Sequence, residues 1–178
     1  MRDIAGIAGF KALAGQHVAV SDWLTITQQR IDTFADATDD HQWIHVDAER
    51  CARESPYGCT VAHGFLTLSL LPAMLQGALN MAGIRMAINY GLNKVRFPAP
   101  VPVGSRLRAR LDILCVDDLP EGAQVNWAVT MSRRSWLFIR VSLIVFTNAS
   151  IENPSFTRCK TEVFTIVIPR AAGTPCPM

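Results

Sequence analysis

None of the five cysteines (Cys51, Cys59, Cys115, Cys159, Cys176) forms a CxxC pair with another, and their number is odd. Neither a disulfide framework nor a zinc knuckle follows, and reduced thiols in a cytosol are the simpler expectation. The cysteines also lack a neighbour that would lower their pKa, so no thiol chemistry is expected. Charge of one sign is missing as well: a formal net charge of +2 offers no concentrated basic surface for nucleic acid. The longest apolar run, Trp136 to Phe146, contains Arg140 and is only about half a membrane span. Asp3 and Lys11 interrupt the N-terminal apolar stretch, which argues against a signal peptide. Ser69 lies among apolar residues without a GxSxG elbow, so an α/β-hydrolase triad is not expected. A soluble, cytoplasmic protein with no membrane or nucleic-acid partner is the reading left.

What the chain does have is apolar content. With 178 residues, 49% of them hydrophobic and 18% charged, it can bury the core of one domain. Ile4, Ile7, Phe10 and Leu13 recur at helical spacing and predict a short N-terminal helix. His17 to Thr27 is rich in β-branched residues and predicts extended chain with a turn at Ser21-Asp22. Thr27 is the expected N-cap of a helix through QQRIDTFADAT, with Ile31, Phe34 and Ala35 as its buried stripe. HGFLTLSLLPAMLQGALNMAG is apolar on nearly every side and predicts a helix buried all round, kinked near Leu68 by Pro72. Beyond it, Val95–Phe97, Ser105–Val116, Gln124–Ser132 and Trp136–Thr147 read as antiparallel strands, with a turn over Asp117–Gly122. Arg106, Arg108 and Arg110 alternate with apolar residues. With Lys94 and Arg96 they suit either a phosphorylated ligand or the solvated face of a strand.

One buried helix followed by several strands predicts an α+β domain, a sheet wrapped on a helix. Residues 1–130 carry a net charge of −2 and residues 131–178 a net of +4. We place the domain at residues 1–147 and read 148–178 as a C-terminal extension, with a possible strand at Thr165–Ile168.

Polar chemistry concentrates in Asp36, Asp39, Asp40, His41, Gln42, His45 and Asp47. Asp40 and His45 can share one water only if the helix ends between them, because five helical residues rotate by about 500°. The run Thr38-Asp39-Asp40 makes such an ending plausible. A carboxylate and an imidazole on one water would then serve acid/base chemistry. Two other readings stand beside it: metal pairs at i, i+4 spacing (His41 with His45, Asp36 with Asp40), for which no third ligand stands out, and a solvated helix end. A second feature, Ala62-His63-Gly64-Phe65, directly precedes the buried helix. Glycine there permits close approach of a ligand, and unpaired N–H groups at a helix start favour developing negative charge, as in an oxyanion hole. A purely structural glycine, and a packing or capping role for His63, are the plainer readings of the same residues.

The stretch from Phe34 to Asp47, with Asp40 and His45 at Asp-x4-His spacing, followed by Val61-Ala-His-Gly-Phe65, resembles the MaoC-like hydratases, and more closely their nodulation-protein-N-like branch. Asn89 to Phe97, with Pro98, Pro100, Pro102 and Gly104, is also similar, and the likeness covers roughly residues 10–130. Asp39 stands where the family commonly has glycine, and Gln42-Trp43 where it has Asn-Pro. The resemblance implies a hotdog fold, an antiparallel sheet around a long central helix, usually dimeric. It implies reversible hydration of trans-2-enoyl thioesters, on CoA or a carrier protein, to (R)-3-hydroxyacyl thioesters. Asp40 and His45 would hold the water and shuttle its proton, and the Gly64 N–H would stabilise the thioester oxygen. Gln42, His63 and Phe65 are expected to contact substrate, and neither a metal nor a cofactor is expected. A non-catalytic acyl-thioester-binding module and, less favoured, a thioesterase are the alternatives.

Overall fold

The computed structural model describes residues 1–120, 122–134, 140–143 and 164–169. The chain opens with strand β1 (Arg2–Ala5) and helix α1 (Gly6–Ala12). Ile4 therefore lies in a strand, not in the predicted helix: its segment pairs in parallel with β4 (Leu79–Ala82). That pairing satisfies the backbone beyond the central helix, and a local helical pattern could not reveal it. Strands β2 (His17–Val20) and β3 (Leu24–Thr25) flank the expected turn, where the Ser21 hydroxyl bonds the Asp22 carbonyl. Helix α2 (Gln28–Thr38) starts as read, with the Thr27 side chain accepting from the Arg30 N–H. Two short helices follow, α3 (Trp43–Val46) and α4 (Ala48–Glu54).

The central helix is two segments, α5 (Gly64–Ser69) and α6 (Leu71–Ala78), and not one long helix. Pro72 sits in the first turn of α6. Lacking an N–H, it cannot satisfy the Leu68 carbonyl, and the helix breaks at Leu70. The C-terminal part of the predicted helix is β4 instead. The next strand is β5 (Ile88–Leu92), whereas Val95–Phe97 is not a strand; the prolines at 98, 100 and 102 withhold the donors that a ladder needs.

The two long strands β6 (Arg106–Leu119) and β7 (Gly122–Arg133) form a hairpin that builds the sheet. Their ladder continues through Asp117↔Gln124 and Asp118↔Ala123, so the turn is tighter than predicted. Strand order is β2-β6-β7-β9-β5, with β3 paired to β6. Along its far edge β7 pairs with both β8 (Arg140–Leu143) and β9 (Phe164–Pro169), at different heights. The strand expected at Thr165–Ile168 is thus present. Most of Trp136–Thr147 and of 148–178 lies outside the described residues.

Leu107, Ala109, Leu111 and Ile113 of β6 and Val125, Trp127, Val129 and Met131 of β7 form one apolar surface. Onto it pack Leu66, Leu70, Leu71, Met74, Leu75 and Ala78 of the two helical segments. The opposite face of β6 carries Arg106, Arg108 and Arg110 outward. The first two lie over the Trp23 ring, and Arg110 pairs with Asp112. This is the solvated-face reading, with the guanidinium groups already occupied by Trp23 and Asp112.

Candidate active site

Helix α2 stops because Asp39 adopts the left-handed conformation (φ 56°, ψ 19°) as its C-cap. Asp39 is the only non-glycine residue among those described with positive φ, a conformation that aspartate tolerates better than most residues. The chain reverses there and re-enters a helix at Trp43, with His45 near the end of α3. The bend required to bring Asp40 and His45 together is therefore present.

His45 is 7% exposed, and its Nδ1–H donates to the Val61 carbonyl at 2.6 Å. That bond fixes the tautomer and leaves Nε2 as the bare nitrogen. Burial holds the pKa of His45 below the usual imidazole value, and the neighbouring His63 adds to the effect. A second brace comes from α2: the Gln28 amide donates to the His45 carbonyl at 2.8 Å, while the Gln28 carbonyl oxygen accepts from Thr60.

His63, 3% exposed, stacks on His45 with ring centroids 3.7 Å apart and planes 28° apart. Its Nε2–H donates to the Asp40 backbone carbonyl at 2.9 Å, and Phe34 covers it at 5.1 Å. The Asp40 carboxylate, about half exposed, lies 3.9 Å from the same nitrogen. One polar side-chain atom from each of Asp40, His45 and His63 lies within 4.8 Å of the other two. Such a set invites a metal, but His63 Nε2 carries the proton it donates to the Asp40 carbonyl and in that state has no lone pair to offer an ion. The i, i+4 pairs are separated too. His41 turns outward to Asp36 at 2.9 Å, which raises its pKa, and His45 faces inward. Burial pushes the Cys51 thiol up, in keeping with an unreactive cysteine.

Gly64 opens α5 immediately after His63, so its N–H belongs to a first turn with no i−4 carbonyl to bond. Glycine is needed here for space. A Cβ would stand 2.7 Å from Phe97 Cδ2 and 2.9 Å from Cε2 and Cγ. Phe65, 69% exposed, meets Phe97 edge-on at 5.9 Å. Gln42 stands apart from this group: its side chain is exposed and makes no hydrogen bond among the described residues, though its carbonyl accepts from the His45 N–H. An open groove of about 450 Å³ runs along α2, bordered by Arg30, Thr33, Ala37, Leu66 and the Phe34 that covers His63.

Gln28 and Thr60 escaped the sequence reading, and Phe34 entered it as part of the buried stripe of α2 but not as cover for His63. Gln28 and Thr60 are 32 positions apart, and no local pattern marks either. Phe97 stood within the family-like stretch but without a role.

Comparison with known proteins supplies the family and the fold. Residues 9–131 match the MaoC like domain. The 3-hydroxyacyl-thioester dehydratase Z of Mycobacterium tuberculosis (strain H37Rv) is 57% identical over 122 residues, 68% of this chain and 80% of that protein. Nodulation protein N of Rhizobium leguminosarum bv. viciae is 53% identical over 105 residues, 58% of this chain and 65% of that one. Among solved structures, the R-hydratase PhaJ1 of Pseudomonas aeruginosa superposes with a TM-score of 0.63 at 20% identity, covering 97% of this chain and 96% of that chain. The monoamine oxidase regulatory protein of Archaeoglobus fulgius gives 0.67 at 19%, covering 96% and 98%. The fold is thus the expected hotdog, with its central helix broken in two, and the chain belongs to the MaoC-like dehydratase family.

Proposed function

We propose that the protein interconverts trans-2-enoyl and (R)-3-hydroxyacyl thioesters, on CoA or a carrier protein, by adding or removing water. The observation that carries this is the meeting of Asp40 with a neutral, buried His45, whose bare Nε2 is fixed by the Val61 carbonyl. In the hydration direction that nitrogen takes a proton from a water whose other hydrogen is held by the Asp40 carboxylate. The water oxygen bonds to C3, and charge moves onto the thioester oxygen. The Gly64 N–H receives that oxygen, and the proton returns to C2. No redox step and no cofactor enter. A group positioned for such proton transfer is typically worth 10²–10⁴-fold in rate.

Phe65 and Phe97 support an apolar mouth around the thioester, and the groove beside Phe34 supports the acyl chain. Gln42 serves this reading through its backbone, which anchors the His45 turn. The catalytic unit is the single domain at residues 1–147, with β9 of the extension added to its sheet. Exposed Ile88, Tyr90 and Leu92 on β5 support a homodimer, and the free Cys51 and Cys59 support a cytoplasmic setting. Among the described residues no helix is long and apolar enough to cross a membrane.

The test is loss of the enoyl-thioester absorbance of crotonyl-CoA with the thioester retained. Asp40→Asn and His45→Gln are expected to fold and to lose most of this activity. Near wild-type hydration by either would defeat the assignment. Release of free CoA thiol would mark a thioesterase, and binding without turnover a non-catalytic module.

A further inference from the structure

The imidazole of His63 takes no part in the chemistry just described, yet it touches both groups that do. Its ring lies flat against His45, and its Nε2–H holds the carbonyl of Asp40. Asp40 and His45 themselves come from different local structures. One follows a helix-ending left-handed residue, and the other sits on a four-residue helix. A short helix and a reversal have little stability of their own. Something outside them must set their separation, and the buried ring arriving from the entry to α5 is the part that spans it. The other His63 nitrogen, Nδ1, is buried without a hydrogen-bond partner among the described residues, so its one polar bond is the one to Asp40.

We infer that His63 is a positioning residue, which clamps Asp40 and His45 into one unit through its Nε2–H bond to the Asp40 carbonyl and its stack on the His45 ring. This rests on the hydratase reading for its kinetic consequence, though not for its geometry. Substrate contact was the role expected from sequence, but a side chain that is 3% exposed and covered by Phe34 offers an acyl thioester almost no surface. Removing the bond frees the Asp40 carbonyl to move. A displacement of about 1 Å at a catalytic group can cost roughly 10²-fold in rate.

Two variants separate the bond from the ring. His63→Phe keeps an aromatic ring against His45 but has no donor, whereas His63→Gln keeps an amide N–H within reach of Asp40 and has no ring. Both are assayed for crotonyl-CoA hydration, and the His45 imidazole is titrated by NMR in each. For His63→Phe, kcat should fall roughly 10²-fold with KM changed by less than about threefold. For His63→Gln, most of that kcat should return. The groups facing His45 are Asp40 from the loop, His63 from the entry to α5 and, beyond the Gln28 amide, Asp32 of α2. Loss of the His63 ring removes one influence that lowers the His45 pKa and opens the site to water. His45 in His63→Gln should therefore titrate at higher pH than in the wild type.

A raised KM with unchanged kcat would assign His63 to the substrate and overturn the inference. So would a His63→Gln variant no better than His63→Phe, or wild-type kinetics in both. If the wild type itself hydrates nothing, the hydratase reading fails. The titration then still decides, and an unmoved His45 overturns the clamp.

Discussion

Gly64→Ala keeps the backbone N–H assigned to the thioester oxygen and adds only one carbon. That carbon would lie 2.7–2.9 Å from three atoms of the Phe97 ring, whereas carbon contacts are optimal near 3.5–4.0 Å. The ring must retreat by about 1 Å. It can do so, because Phe97 is 40% exposed, but it then abandons its edge-on contact with Phe65. Overpacking of this kind costs about 1–3 kcal/mol, offset by up to about 1 kcal/mol from replacing a glycine. The variant should fold, with stability lowered by no more than about 3 kcal/mol. Activity is the more sensitive measure, since a donor or ring displaced by about 1 Å at the reacting oxygen costs roughly 10²-fold. Crotonyl-CoA hydration should be measured for Gly64→Ala, Phe97→Ala and the double variant, with wild type as the fourth corner of the cycle. We expect the double variant to recover to within about threefold of Phe97→Ala alone, a coupling that distant, independent sites do not show. Near wild-type turnover by Gly64→Ala, or losses that simply add in the double variant, would refute the steric reasoning.

Two further outcomes follow from the same region. Asp39→Gly should raise stability by about 0.5–1 kcal/mol, because the position demands positive φ, while a β-branched residue there should cost about 1–2 kcal/mol; denaturant midpoints check both. Burial depresses the folded pKa of His45 from 6.5, so the unfolded chain takes up that proton first as pH falls. The stability this group contributes is present above pH 6.5 and lost as pH drops through the lower folded value. Wild type should consequently lose more stability than His45→Gln between about pH 7 and 5. The comparison is needed because His41, held protonated more firmly by Asp36, shifts stability the other way.

Much of the fold was legible because its signals are local. Thr27 caps the helix it was expected to cap, and the strict alternation around Arg106–Leu111 sets which side of β6 is wet. Pro72 breaks the central helix for a reason visible in its covalent structure. The errors arose where a distant partner decided the outcome. Ile4 keeps helical spacing with Ile7 and Phe10 yet joins β4, 77 residues away in register with Met81. Leu79–Ala82 looked like the last turn of a helix and became the other half of that pair, because hydrogen bonds between chain segments outweigh a weak local preference.

The candidate site divides in the same way. Residue types and spacing offered Asp40, His45 and Gly64 as candidates for a proton-transfer pair and an unencumbered amide, beside a metal pair, a solvated helix end and a structural glycine, and the family resemblance selected among these readings. Spacing also implied that the helix must end between Asp40 and His45. Tertiary structure alone determined which nitrogen of His45 is bare, because the Val61 carbonyl that takes the other proton lies 16 residues away. It also revealed why position 64 has no room for a side chain, because Phe97 arrives from a loop 33 positions on. Composition names the groups that can exchange a proton. Their tautomer, burial and separation depend on atoms brought together only by folding.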